Sequence, residues 1–291
     1  MRSYRDLFRT PEFTPFFLAA SAQTVAQTMG GLALGTLVYR ATESPLLSAV
    51  SMFGSSLVQV LGATFLLSAA DRLPPRAALT ALPLLFAAAT AALALPGLPL
   101  RGLFAVVLVK GLAESVGGGV RWGLLNEILS KDGYLLGRSV FNMMSGLMQI
   151  AGYATGGALV VLLSPRLSLL TAAVLYVVAA VVVRLGLTRR PPRTTGRPSV
   201  AATWRANALL WSSAPRRQVY LALWIPNGLI VGCESLYVSY VPDSAGTLFA
   251  WRRWACSPGT CWSAAYSPRV CAPAWASRSC CSWPSRTCRS F

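Results

Sequence analysis

Four long stretches of this chain contain no charged residue. They run from Glu12 to Arg40, from Glu43 to Asp71, from Arg76 to Arg101 and from Arg138 to Arg166. Each exceeds the roughly 20 residues a helix needs to cross about 30 Å of hydrocarbon. A buried helix of a water-soluble domain seldom runs so far without a polar face turned to solvent. Inside lipid no such face is needed, but every backbone N–H and C=O must be satisfied within the segment, which makes it helical. The pattern predicts an all-α, polytopic membrane helical bundle. Seven spans are expected, at roughly 14–38, 46–69, 77–97, 102–125, 139–163, 168–188 and 219–241.

Composition bears on which partners suit the chain. Only 12% of its residues are charged, where a soluble domain carries about 25%. The net charge of +17 and the pI near 10.5 would suit nucleic acid, but the placement of the charges argues against it. There are only two lysines, Lys110 and Lys131, and the arginines sit mostly between apolar runs. That placement fits anionic lipid headgroups. The chain has no histidine, which excludes proton transfer by imidazole. No catalytic group, cofactor or metal site is expected, and no glycine-rich nucleotide loop is present, so the chain does not read as an enzyme. No cleavable signal peptide is evident either. Arg2, Arg5 and Arg9 are mixed with Asp6 and Glu12, and the apolar run behind them is too long.

Charge bias sets the topology. With the N-terminus inside, the inner face receives Arg2, Arg5 and Arg9, then Arg72 and Arg76, then Lys131 and Arg138, then eight arginines from Arg184 to Arg217. The outer face receives Arg40, Arg101 and Arg166. Basic residues collect on the cytoplasmic side, so the N-terminus is expected there, in the cytoplasmic (inner) membrane.

The chain divides into four parts. Residues 1–188 make a six-helix transmembrane half. Residues 189–217 begin RRPPRTTGRP, whose prolines, glycine and arginines cannot make a span. This segment is expected to be a basic cytoplasmic linker, with room for a short interfacial helix around TWRANALLW. Residues 218–250 supply the first span and following loop of a second half. Residues 251–291 are compositionally foreign: they lack Leu, Ile, Met, Asp, Glu, Asn, Gln, Lys and His. They hold six of the seven cysteines, at 256, 261, 271, 280, 281 and 288. The cysteine spacings do not fit a zinc site, and no histidine could complete one. The tail reads as the product of a reading-frame change in a GC-rich gene, is not expected to span the membrane, and is assigned no function.

The fourth span carries Lys110, Glu114 and Arg121. At 100° per residue all three fall within a 40° stripe. Each charge at a helix centre costs roughly 2.5–3.5 kcal/mol on insertion scales, so the stripe must face protein or a water-filled cavity. Two readings are open. In one, the stripe lines a path for a polar or charged solute, or couples to protons through Glu114. In the other, Lys110 and Glu114 neutralise each other and join helices, and Arg121 snorkels to the inner surface. Gln23 and Gln27 share a face of the first span, suited to a cavity or to helix–helix hydrogen bonds. Glu234 is the lone charge of the seventh span and a candidate cavity or coupling group. Gly117, Gly118, Gly119, Gly152, Gly156 and Gly157 allow close helix approach.

The layout resembles the major facilitator superfamily of secondary transporters. The short match is LSAADRLPPRA at 67–77, against a family pattern Gly-x-x-x-Asp-Arg-x-Gly-x-Arg-Arg. Asp71, Arg72 and Arg76 match; Leu67, Pro74 and Ala77 stand where the family has Gly, Gly and a basic residue. A second likeness is NEILSKDGYLLGRSVFNMMSGLMQIAG, with Asp132, Gly137, Arg138 and Asn142 at the entry to the fifth span. The flavour is that of bacterial exporters, and the likeness covers residues 4–250.

The resemblance implies two six-helix halves that rock about a central site, with spans one, four and seven lining it. It implies that Asp71, Arg72 and Arg76 form a gating loop at the inner face. It also implies secondary active transport of a small molecule by alternating access, with proton-coupled efflux the leading expectation. Small molecules, protons and membrane lipids are the expected partners, and nucleic acid is not. Two alternatives stay open: a truncated, nonfunctional product of a transporter gene, and a membrane structural or interaction protein without transport activity.

Overall fold

A computed structural model describes residues 4–129, 131–193, 200–234, 236–241 and 244–250. The tail 251–291, with its frame-change reading, lies outside the described residues, as do the side chains of Leu67 and Asp132. Among the described residues every regular element is a helix. They are α1 (Tyr4–Phe8), α2 (Phe13–Thr42), α3 (Pro45–Ala70), α4 (Pro75–Leu93), α5 (Leu100–Ile128), α6 (Lys131–Leu162), α7 (Pro165–Gly186), α8 (Val200–Trp211), α9 (Ala214–Glu234) and α10 (Tyr237–Tyr240). Residues 245–250 are helical too.

Local chemistry sets the helix ends. Proline opens α3, α4 and α7, where its missing N–H has no partner to lose. Ser164 caps α7, its hydroxyl accepting from the Leu167 N–H at 3.2 Å. Glu43 ends α2 in the left-handed region at φ 51°, donating its N–H to the Tyr39 carbonyl at 2.8 Å. The helix foreseen around TWRANALLW is α8. The expected seventh span is divided: α9 stops at Glu234, the Leu236 N–H turns back to the Cys233 carbonyl at 3.2 Å, and α10 follows.

Among the described residues, five helices are long and apolar enough to cross a membrane: α4, α5 and α7 in full, Pro45–Ala63 within α3, and Gly133–Leu162 within α6. Their outer faces are apolar and exposed, as at Leu57, Val60 and Leu61 on α3 and Val174, Val177 and Val181 on α7. α2 and α9, of 30 and 21 residues, have the length but not the same apolarity. The polar groups of α2 mostly look after themselves. The hydroxyls of Ser21, Thr24, Thr28 and Thr36 each donate to the carbonyl four residues back, at 2.8–3.0 Å. Such back-bonding satisfies hydroxyls in lipid.

α2 is the hub of the bundle, packing on α7, α6 and α3. α3 packs on α5, and α4 on α7 and α5. Small residues make the close crossings. A Cβ on Gly156 would sit 3.0 Å from the Met29 Cα, and one on Gly111 would sit 2.6 Å from the Ser55 carbonyl oxygen. These contacts bring α6 onto α2 and α5 onto α3 at a spacing that larger residues would forbid. Gly118 is different: nothing lies within 4 Å of the space its side chain would fill. The chain after α9 returns to the bundle. Val238, Ala245 and Phe249 are buried against Leu32, Met52 and Tyr153, and the Tyr153 and Phe249 rings stack at 4.5 Å.

Candidate functional site

A cavity of about 390 Å³, partly open, lies between residues of α2 and α5. That is within the usual range for small-ligand sites, roughly 300–1,000 Å³. Its polar wall is built by Gln27 and Thr28 on α2, Ser55 on α3, Lys110, Glu114 and Arg121 on α5, Gln149 and Tyr153 on α6, Tyr176 on α7 and Glu234 on α9. A second cavity of about 230 Å³ lies beside it, reached by Gln23, Gln27 and Gln59. Gln27, Glu114, Arg121 and Phe86 border both. The α5 stripe thus faces cavity space between the helices. Gln23, Gln27, Lys110, Glu114, Arg121 and Glu234 all border one or both cavities.

The stripe's partners differ from those drawn from spacing. Among the described residues Lys110 and Glu114 form no ion pair within 4 Å. The Lys110 ammonium donates to Thr90 Oγ1 at 3.0 Å and lies 5.5 Å from the centre of the Tyr176 ring. Thr90 and Tyr176 are both buried, whereas Lys110 is half-buried at the edge of the cavity. Glu114 accepts a hydrogen bond from the Gln27 side-chain amide, while Gln59 donates to the Glu114 backbone carbonyl at 3.4 Å. One carboxylate is therefore held between three helices: α5 carries it, α2 supplies the side-chain donor, and α3 fixes the turn beneath it. Glu234 is fully buried where α9 meets the larger cavity.

A second polar assembly stands at the end of the bundle that carries Glu12, the α3–α4 turn and the C-terminus of α5. Arg193, in the segment after α7, pairs with Glu127 and with Asp71, the latter at 3.3 Å. Its guanidinium also donates to the Val120 carbonyl at 3.4 Å. Arg190 pairs with Glu12 and reaches Glu127 at 3.6 Å. Thr188 donates both its N–H and its hydroxyl to Glu12. The segment leaving α7 is therefore tied to the start of α2, the α3–α4 turn and the end of α5. Arg76 donates to the Arg184 carbonyl in the last turn of α7, placing a cation at the negative end of that helix. Arg72 follows Asp71 in the same turn.

The family resemblance singled out Asp71, Arg72 and Arg76, but nothing in the sequence connected Glu12, Glu127, Arg190 and Arg193. The linker arginines read as lipid-facing because each lies far along the chain from any acid. Folding brings Arg190 and Arg193 onto three carboxylates. Thr90 and Gln59 were missed for a similar reason, as lone polar residues in apolar runs whose partners sit on other helices.

A family model described as Major Facilitator Superfamily matches residues 16–281. The match begins in α2 and continues past Ala250 into the compositionally distinct tail. No curated protein matches the sequence.

Proposed function

The chain belongs to the major facilitator superfamily, and on that premise we propose that it moves a small molecule across the cytoplasmic membrane by alternating access, as a proton-coupled exporter. It is a multi-pass membrane protein of a transporter family. The observation that carries the finer reading is Glu114, a carboxylate bordering two adjoining cavities inside the bundle and held by Gln27 of α2. An acid in the bilayer interior is costly and marks ion and substrate paths. Gln23, Gln27, Lys110, Arg121 and Glu234 make the remainder of the proposed path, and Glu114 and Glu234 are the proton-carrying candidates.

Asp71, Arg72 and Arg76 form the proposed gate, with the ties of Arg190 and Arg193 holding its end of the bundle closed. The excess of basic residues before α2, in the α3–α4 turn and after α7 supports placing that end in the cytoplasm. The export direction in this proposal rests on the overall likeness of residues 4–250 to bacterial exporters.

Reconstitution of the full chain in proteoliposomes containing a pH-sensitive dye tests the reading. Under an imposed solute gradient, a transported compound should drive protons the opposite way. If no compound in a broad panel of organic ions and neutral solutes moves protons beyond the rate in protein-free vesicles, proton-coupled export is wrong.

A further inference from the structure

The three charges of the α5 stripe are not equally committed. Lys110 is spent on Thr90 and the Tyr176 ring, and Glu114 accepts from Gln27. Arg121 borders both cavities, yet among the described residues its guanidinium makes no hydrogen bond and no ion pair within 4 Å. Glu114, about two turns back on the same face, attracts it from beyond ion-pair distance but fills none of its N–H donors. A guanidinium presents five N–H donors in a planar fork that matches an oxyanion in two-point contact. The smaller cavity beside it is lined by the polar side chains of Gln23, Gln27, Gln59 and Glu114 and by one apolar patch on its wall. Leu79, Leu82, Phe86 and Trp122 belong to that patch. Gly117 and Gly118 keep that wall low, since no side chain rises from α5 there.

We infer that Arg121 anchors the anionic group of the solute, so the cavity pair takes small organic acids, with the oxyanion on the guanidinium and the carbon skeleton against Phe86 and Trp122. This rests on the transport reading and narrows its substrate class. An inorganic anion would leave the apolar patch unused. An organic cation would meet Arg121 and Lys110 together on one face of the path.

Binding of three probes of matched size and shape to the full chain in detergent decides it: benzoate, benzamide and benzylamine, followed by equilibrium dialysis. Benzoate should bind most tightly. Arg121→Gln should weaken benzoate by about tenfold or more, as expected for a hydrogen bond to a charged group, and leave benzamide unchanged. Arg121→Lys should recover part of the loss, as a point charge replaces a two-point fork. The inference is overturned if benzoate binds no better than benzamide, if benzylamine binds best, or if Arg121→Gln leaves benzoate affinity intact. Should Arg121→Gln not fold, the order of the three probes and the Arg121→Lys variant still decide. Because binding is read without flux, Arg121-dependent benzoate binding in a chain that transports nothing would defeat the transport reading alone. Flux that depends on Glu114 but not on Arg121 would defeat the anion site alone.

Discussion

The guanidinium of Arg193 lies 3.3 Å from the Asp71 carboxylate and pairs at the same time with Glu127, joining the segment after α7 to the α3–α4 turn and the end of α5. Asp71 keeps 54% of its side-chain surface exposed, so water and salt screen the pair. Its contribution to stability should be about 1 kcal/mol or less. Its effect should appear in opening. In Arg193→Gln, amide hydrogen exchange at the C-terminus of α5 and in the α3–α4 turn should quicken, while the thermal midpoint hardly moves. Unchanged exchange there would remove Arg193 from the gate.

Gly123 offers an independent route to the same contact. A Cβ at this position would fall 1.9 Å from Arg193 Nη1, which is the far end of a flexible side chain. Gly123→Ala should therefore displace the guanidinium without disturbing the backbone, and gain up to about 1 kcal/mol of helix propensity. Exchange at the end of α5 should rise as in Arg193→Gln. Combining the two variants should add little further, because both act on one contact.

The crossing of α6 on α2 depends on Gly156. Gly156→Val should cost about 1–3 kcal/mol, since its Cβ would press on the Met29 backbone. Gly118→Ala, with open space around it, should not lower the unfolding free energy in detergent and should gain up to about 1 kcal/mol of helix propensity. Equal effects would show that glycine content alone, and not this crossing, decides stability.

Thr90 gives the Lys110 ammonium its one hydroxyl acceptor among the described residues, at 3.0 Å. Thr90→Val keeps the shape and removes the oxygen, which should cost about 1–3 kcal/mol by leaving a half-buried donor unsatisfied. Thr90→Ser should cost less than half of that. Thermal unfolding of the two variants side by side checks the order.

The helices themselves were open to reading from the sequence, and physics explains why. A charge-free run such as Glu43 to Asp71 admits one structure in lipid, so α3 follows from composition alone. The face shared by Lys110, Glu114 and Arg121 followed from helical geometry, and the cavities border all three. Their partners could not be read this way. Thr90 and Tyr176 meet Lys110 only because α4 and α7 pack together beside α5, and nothing local to either residue encodes that. The same holds for Glu12 and Arg190, whose contact spans nearly the whole described bundle in sequence. Pairings within one helix are fixed by its period, whereas pairings between helices depend on packing that the period does not specify.

The central claim is that solute and protons pass the Glu114 cavity. It is tested most directly by flux in proteoliposomes holding equal amounts of the intact chain or of Glu114→Gln, across a panel of labelled small organic acids under an imposed proton gradient. Insertion is checked by protease protection. At least one compound should cross faster than through protein-free vesicles with the intact chain, and Glu114→Gln should abolish that flux while inserting normally. Equal flux in the two chains, or no flux above protein-free vesicles for any compound, would contradict the account.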